Sequence, residues 1–243
     1  MIDINFSVEG VGQDIIFLHG WGCNKDIFRN ISKELKGKYK VYLLDLPGFG
    51  KSKEPDEPYN LDNYVEELRL FVVKCDIVNP IIVGHSFGGR IGIRYATKYN
   101  VNKLILIDSA GILHYSIKKT YSIYKYKLLK KIYSLTSNIS KLETLLQNSG
   151  SKDYLSSTNV MKKTLSLIVN TNQAKELCLV KCETLLLWGR HDDVTPFKDG
   201  VFMEKKLSNS ALILFDDSGH FPFIDEEYKF ICVLKSYLQI GEI

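Results

Sequence analysis

The residues best suited to chemistry gather around one serine. Gly84-His85-Ser86-Phe87-Gly88-Gly89 follows the apolar run Pro80–Val83 and precedes a segment of helical periodicity, Ile91 to Tyr99. A strand that turns abruptly into a helix needs small neighbours. Glycines two before and two after the serine meet that need and leave its hydroxyl projecting above a sheet. A serine hydroxyl is a weak nucleophile on its own. It needs a base, an acid to orient that base, and donors for the developing oxyanion. With only five histidines in the chain, the search for a base is short. His220 lies in Ser218-Gly219-His220-Phe221-Pro222, after the run Ala211–Phe215. Asp192 lies in Trp188-Gly189-Arg190-His191-Asp192-Asp193-Val194-Thr195-Pro196, after the run Thr184–Trp188.

These residues need a scaffold, and the apolar pattern supplies one. Asp14–Leu18, Lys40–Leu44, Pro80–Val83, Lys103–Ile107, Thr184–Trp188 and Ala211–Phe215 are short and apolar nearly throughout. That is the pattern of strands buried on both faces of a parallel sheet. Amphipathic stretches lie between them. Leu61, Tyr64, Val65, Leu68, Val72 and Cys75 fall at helical spacing with Asn60 as the cap, and Phe223 to Leu238 closes the chain as a helix. Ile2–Val8 with the Gly10-Val11-Gly12 turn predicts a hairpin at the sheet edge. Alternation of strand and helix predicts an α/β fold with a doubly wound, mostly parallel sheet. Ser86, Asp192 and His220 then all sit at carboxyl ends of strands, where such sheets form their crevices.

The chain as a whole resembles the α/β-hydrolase superfamily. The resemblance rests on His19-Gly20-Trp21-Gly22, Asp45-Leu46-Pro47-Gly48-Phe49-Gly50-Lys51-Ser52, the Ser86 turn, the Asp192 loop and the Gly219-His220 loop. It implies a catalytic triad of Ser86, Asp192 and His220, and an oxyanion hole from the backbone N–H groups of Trp21 and Phe87. Among members, it looks most like pimeloyl-carrier-protein methyl esterases and related small carboxylesterases, although His85 stands where that esterase often has Trp. Asp192 fits the family spacing better than its neighbour Asp193, and Asp108 is a further position from which an acid reaches the histidine in some relatives. His19 fits a structural role in the oxyanion turn. The implied reaction is hydrolysis of a carboxylic ester through an acyl-enzyme, which needs no metal or cofactor. Alternatives are a thioester or C–C bond hydrolase with the same triad, and a non-catalytic binding protein on the same scaffold.

Composition narrows the classes further. With 243 residues, 45% hydrophobic and 25% charged, the chain suits a folded globular protein and not a disordered or fibrous one. No run approaches the roughly 18 apolar residues of a membrane span, and the first residues lack the pattern of a secretion signal. Cys23, Cys75, Cys178, Cys182 and Cys232 are odd in number and scattered, with no C-x-x-C pair. Free thiols in a reducing compartment, the cytoplasm, fit that usage. Gly50-Lys51-Ser52 ends like a phosphate loop but has Asp45 where that motif needs glycine.

The net charge of +4 is unevenly spread. Residues 110–180 carry eleven lysines against three acids, a net +8, which leaves −4 for the remainder. No strand pattern occurs there. Ile117, Tyr121, Tyr124, Leu128, Ile132 and Leu135 mark one helix face, and lysines 118, 119, 125, 127, 130 and 131 fill the rest. The expected organisation is a hydrolase core of 1–109 and 181–243 with a helical cap, or lid, at 110–180. A solvated helix surface accounts for the lysines in the simplest way. An anionic acyl carrier or lipid surface is the partner they would suit, and no recognition fold for nucleic acid accompanies them.

Overall fold

The computed structural model of the chain describes residues 2–113 and 157–240. Seven strands form one sheet: β1 (Phe6–Glu9), β2 (Gln13–Leu18), β3 (Tyr39–Leu44), β4 (Ile81–His85), β5 (Lys103–Ile107), β6 (Glu183–Gly189) and β7 (Ser210–Phe215). Their order is β1-β3-β2-β4-β5-β6-β7, and every pairing is parallel except β1 with β3. All six expected parallel strands are present, with no end shifted by more than two residues. The N-terminal hairpin is not. β1 does lie at the sheet edge, but it pairs antiparallel with β3 (Phe6 opposite Leu44) because β2 is already flanked by β3 and β4.

Side-chain alternation divides the core into two layers. Ile16, Leu18, Leu44, Ile82, Leu106, Leu186 and Trp188 face one side of the sheet. Ile15, Phe17, Leu43, Val83, Ile107 and Leu187 face the other. Successive strand residues point to opposite faces, so continuous apolar runs are what two covered faces require. On the first side lie α2 (Leu61–Lys74) and α3 (Phe87–Lys98), through Tyr64, Leu68, Phe71 and Ile91. On the second lies α1 (Arg29–Leu35), through Ile31 and Leu35. Asn60 caps α2 as expected, its side chain accepting from Asn63 N–H at 3.0 Å while Asn63 returns the bond at 2.8 Å.

Among the described residues after β5 come α4 (Asn159–Val169), a 3-10 turn at Leu177–Leu179, α5 (Phe197–Lys206), α6 (Pro222–Asp225) and α7 (Glu227–Tyr237). The closing helix is therefore broken in two. Glu226 at the break leaves the helical conformation (φ −123°, ψ 49°), and its carboxylate accepts from Asp217 N–H and from Ser218 Oγ at 2.7 Å. That break turns the chain around the loop that carries His220. α4 falls within the segment expected to be helical, and it lies over the loop after β3. A Cβ on Gly48 would come within 2.6 Å of Met161, and Thr164 Oγ1 accepts from Tyr59 N–H at 2.9 Å. The expected helix from Ile117 to Leu135 and its lysines lie outside the described residues.

The strand order reverses between β3 and β4 on either side of β2, and this places the crevice of the sheet beside Trp21 and Ser86. α3 must approach β2 closely at that point. A Cβ on Gly88 would sit 2.0 Å from the Leu18 carbonyl oxygen, a backbone atom that cannot rotate away. Gly88→Ala is expected to lower the thermal midpoint sharply or to abolish soluble expression, as measured by thermal denaturation; a midpoint equal to the parent's would contradict this packing.

Candidate active site

β4 ends at His85, and the chain reverses into α3 through Ser86. Ser86 has φ 52° and ψ −108°, a conformation that non-glycine residues rarely adopt and that carries roughly 1–3 kcal/mol of strain. Its backbone is fastened on both sides. Ser86 N–H donates to Ile107 O at 3.0 Å, and Ser86 O accepts from Gly89 N–H at 3.1 Å and Ala110 N–H at 3.1 Å. The hydroxyl opens onto a cavity of about 540 Å³ whose walls include Trp21, Phe87, Leu165, Ile168 and Val194.

Asp192 and His220 come together at the ends of β6 and β7. The two loops pass so closely that a Cβ on Gly189 would lie 1.9 Å from Gly219 O, and His191 N–H donates to Ser218 O at 2.9 Å. His220 Nδ1 lies 2.7 Å from Asp192 Oδ2. Asp192 Oδ1 accepts from the N–H groups of Val194 (2.7 Å) and Thr195 (2.9 Å), and Thr195 Oγ1 donates to Oδ2 at 2.6 Å. Burial raises the Asp192 carboxyl, but these bonds outweigh it and bring it down to about 2. Asp193 is exposed. Among the described residues no hydrogen bond joins Ser86 to His220; they are linked instead through the residue before the serine.

That residue is His85. Its Nε2 lies 2.8 Å from His220 O, and since a carbonyl only accepts, Nε2 carries the proton and Nδ1 is a bare acceptor. Nδ1 is buried without a partner and faces Gly20, where a Cβ would approach to 2.8 Å. The ring therefore touches both the turn of Trp21 and the loop of His220. Burial, then the neighbouring His220, brings it down to about 3, so it is neutral at physiological pH. The sequence marked His85 only as a departure from a relative, because its contacts come from loops far away in the chain.

His19 has the structural role expected of it. Nδ1 lies 2.8 Å from Gly20 O and Nε2 accepts from Leu46 N–H at 3.0 Å, which is one consistent tautomer. Burial lowers it to about 4. Asp45 holds the next loop by accepting from Lys25 N–H (2.7 Å), Lys51 N–H (3.0 Å) and Asn5 Nδ2 (2.6 Å). Gly50-Lys51-Ser52 thus wraps around a carboxylate, which would repel a phosphate.

Asp108 stands behind the Asp192–His220 pair, fully buried, with φ 41°. Oδ1 accepts from Gly189 N–H at 2.9 Å and Oδ2 has no partner. Burial pushes it up to about 9, against the Gly189 N–H and with help from the charge of Asp192. It is therefore a neutral acid and does not duplicate Asp192. Asp108, Asp192 and His220 bring donor atoms within 4.8 Å of one another, the makings of a cation site. Asp192 Oδ2 is already shared between His220 and Thr195, so these carboxylate and imidazole groups form an acid–base pair with Asp108 behind it.

With this geometry in view, comparisons with known proteins become informative. A family model described as the α/β hydrolase fold matches residues 15–123. An esterase from Exiguobacterium antarcticum superposes with a TM-score of 0.76 over 98% of this chain and 96% of its own, at 23% identity. The chain has the α/β-hydrolase fold. An AB hydrolase superfamily protein of Bacillus subtilis is 29% identical over 94% of this chain and 92% of its own length. The pimeloyl-[acyl-carrier protein] methyl ester esterase of Legionella pneumophila is 26% identical over 98% of this chain and all of its own. No described helix is long and apolar enough to cross a membrane.

The neutral state of Asp108 has a measurable consequence. Between about pH 4, the ordinary carboxyl range, and about pH 9, the folded chain holds a proton that the unfolded chain has released. Stability therefore falls as pH rises across that window. Asp108→Asn removes the penalty, so its thermal midpoint should exceed the parent's by more at pH 8 than at pH 5. A difference independent of pH would mean that Asp108 is ionised when folded.

Proposed function

We propose that this chain is a serine hydrolase of carboxylic esters, with Ser86 as nucleophile, His220 as general base and acid, and Asp192 as the acid that orients it. The observation that carries the reading is the 2.7 Å contact between His220 Nδ1 and Asp192 Oδ2, held beside the strained turn of Ser86. An ionised carboxylate only accepts, so Nδ1 bears the proton and Nε2 is left with the lone pair a base requires. His220 Nε2 takes the Ser86 proton as Oγ attacks the carbonyl, and it later returns that proton to the leaving alcohol. Water then enters by the same route and releases the acid. The bond from Ser86 to His220 is absent among the described residues, and such bonds commonly tighten only when substrate is bound.

The oxyanion donors are the N–H groups of Trp21 and Phe87. Phe87 is the first residue of α3, where an N–H has no acceptor within the helix. Trp21 lies across the cavity wall, its ring 5.4 Å from that of Phe87. Each donor of this kind is typically worth roughly 2.7–4 kcal/mol. Residues 110–180 act in this reading as a helical cap over an apolar pocket. The cytoplasm is the proposed location, in keeping with five free thiols.

Ser86→Ala should lower ester turnover by at least about 10⁴-fold with the thermal midpoint retained, and should abolish labelling by a fluorophosphonate probe. Labelling of the parent at a residue other than Ser86 would overturn the assignment. The Legionella relative is named for a carrier-bound methyl ester. If the lysines of 110–180 dock an anionic carrier here, rising salt should depress turnover of a carrier-bound ester more than that of a small neutral ester. An equal response of both would remove the carrier from the proposal.

A further inference from the structure

Arg90 is an unusual residue for the wall of an apolar cavity. It lies in the first turn of α3, four residues after Ser86. It is 6% exposed and lines the cavity onto which Ser86 opens. Nη1 donates to Thr171 O at 2.6 Å. Nε and Nη2 have no hydrogen-bond partner among the described residues. Among the described residues no carboxylate is paired with the guanidinium. Arg94, one turn further on, is by contrast bidentate to Glu176 at 2.6 Å and also bonded to Asp62.

Burial alone brings Arg90 down to about 10, so it remains a cation at neutral pH. A buried charge without a counter-ion is costly, and its cost falls when a ligand supplies the opposite charge. Asp199 also reaches this cavity, but it has an interaction of its own. A guanidinium presents its free N–H groups in a fixed fork that matches a carboxylate.

We propose that Arg90 is an anion-recognising residue of the substrate cavity, and that the preferred esters carry a free carboxylate a few bonds from the scissile carbonyl, as in half-esters of short dicarboxylic acids. This inference rests on the ester-hydrolase reading for its substrate but not for its binding site. Such a carboxylate would pair with Nε and Nη2 while the ester carbonyl lies at Ser86, so that the charge fixes the reach of the acyl chain.

Two measurements test it. The first compares kcat/KM for monomethyl glutarate with that for its neutral amide counterpart, methyl glutaramate. The ratio should exceed 10 in the parent and fall at least tenfold in Arg90→Gln, which keeps a donor for Thr171 O, with Arg90→Lys intermediate. A ratio unchanged by Arg90→Gln would overturn the proposal and leave Arg90 as a clamp on the Thr171 carbonyl. The second measurement uses Ser86→Ala protein without turnover. Glutarate should raise the thermal midpoint more than glutaramide does, and Arg90→Gln in that background should erase the difference. Equal shifts by the two ligands would refute the anion site. Failure of the parent to hydrolyse any ester would refute the catalytic reading alone, and the glutarate measurement would still decide Arg90.

Discussion

Ser86 is held in a left-handed conformation by hydrogen bonds on both sides of its peptide, and the rest of the site is arranged around that constraint. Its N–H is bound to Ile107 O, and its carbonyl receives the N–H groups of Gly89 and Ala110. These bonds tie β4 to the end of β5 and fix where α3 begins. With α3 fixed, only glycine can occupy position 88 beside the Leu18 carbonyl. The same docking brings Trp21, at the end of β2, against Phe87. One strained residue thus sets the serine, the helix N-terminus and the turn that faces them. The strain persists because the surrounding bonds over-determine it.

The acid–base side of the site is built from a different pair of strands and is joined to the first by His85. β6 and β7 end level with each other, and their loops cross where neither Gly189 nor Gly219 has a side chain. Asp192 is saturated by two N–H groups, a hydroxyl and the imidazole, so its position leaves little freedom. His85 reaches from the elbow to the His220 carbonyl and packs on Phe221 and Phe223. Two buried neutral groups, His85 and Asp108, flank the one ionised carboxylate. A neutral Asp108 adds no second negative charge beside Asp192, which a further ionised acid at that position would disturb.

Much of this was legible in the chain. The apolar runs, the glycines around Ser86 and the Asn60 cap carry local physics, and the structure has each of them where the pattern predicts. The hairpin at the N-terminus failed because Gly10 and Gly12 signal a turn but not which edge the preceding strand will join; β2 has no free edge to offer. The single closing helix failed for a related reason. Glu226 has good helical propensity, but its carboxylate is drawn to Asp217 and Ser218 across the loop. Arg90 was invisible as a functional candidate, since it looks like a helix-surface cation, and Asp108 was legible as an alternative acid but not as a neutral one.

The sequence by itself determined the sheet, its two apolar faces, and which serine, aspartate and histidine stand at strand ends, because these follow from residue type and short-range periodicity. Only the tertiary structure decided how those ends meet. The separation of His220 from Asp192, the neutral states of His85 and Asp108, and the burial of the Arg90 guanidinium on the cavity wall all depend on desolvation and on partners distant in the chain. Burial is a property of the assembled layers, and no local pattern of residues encodes it.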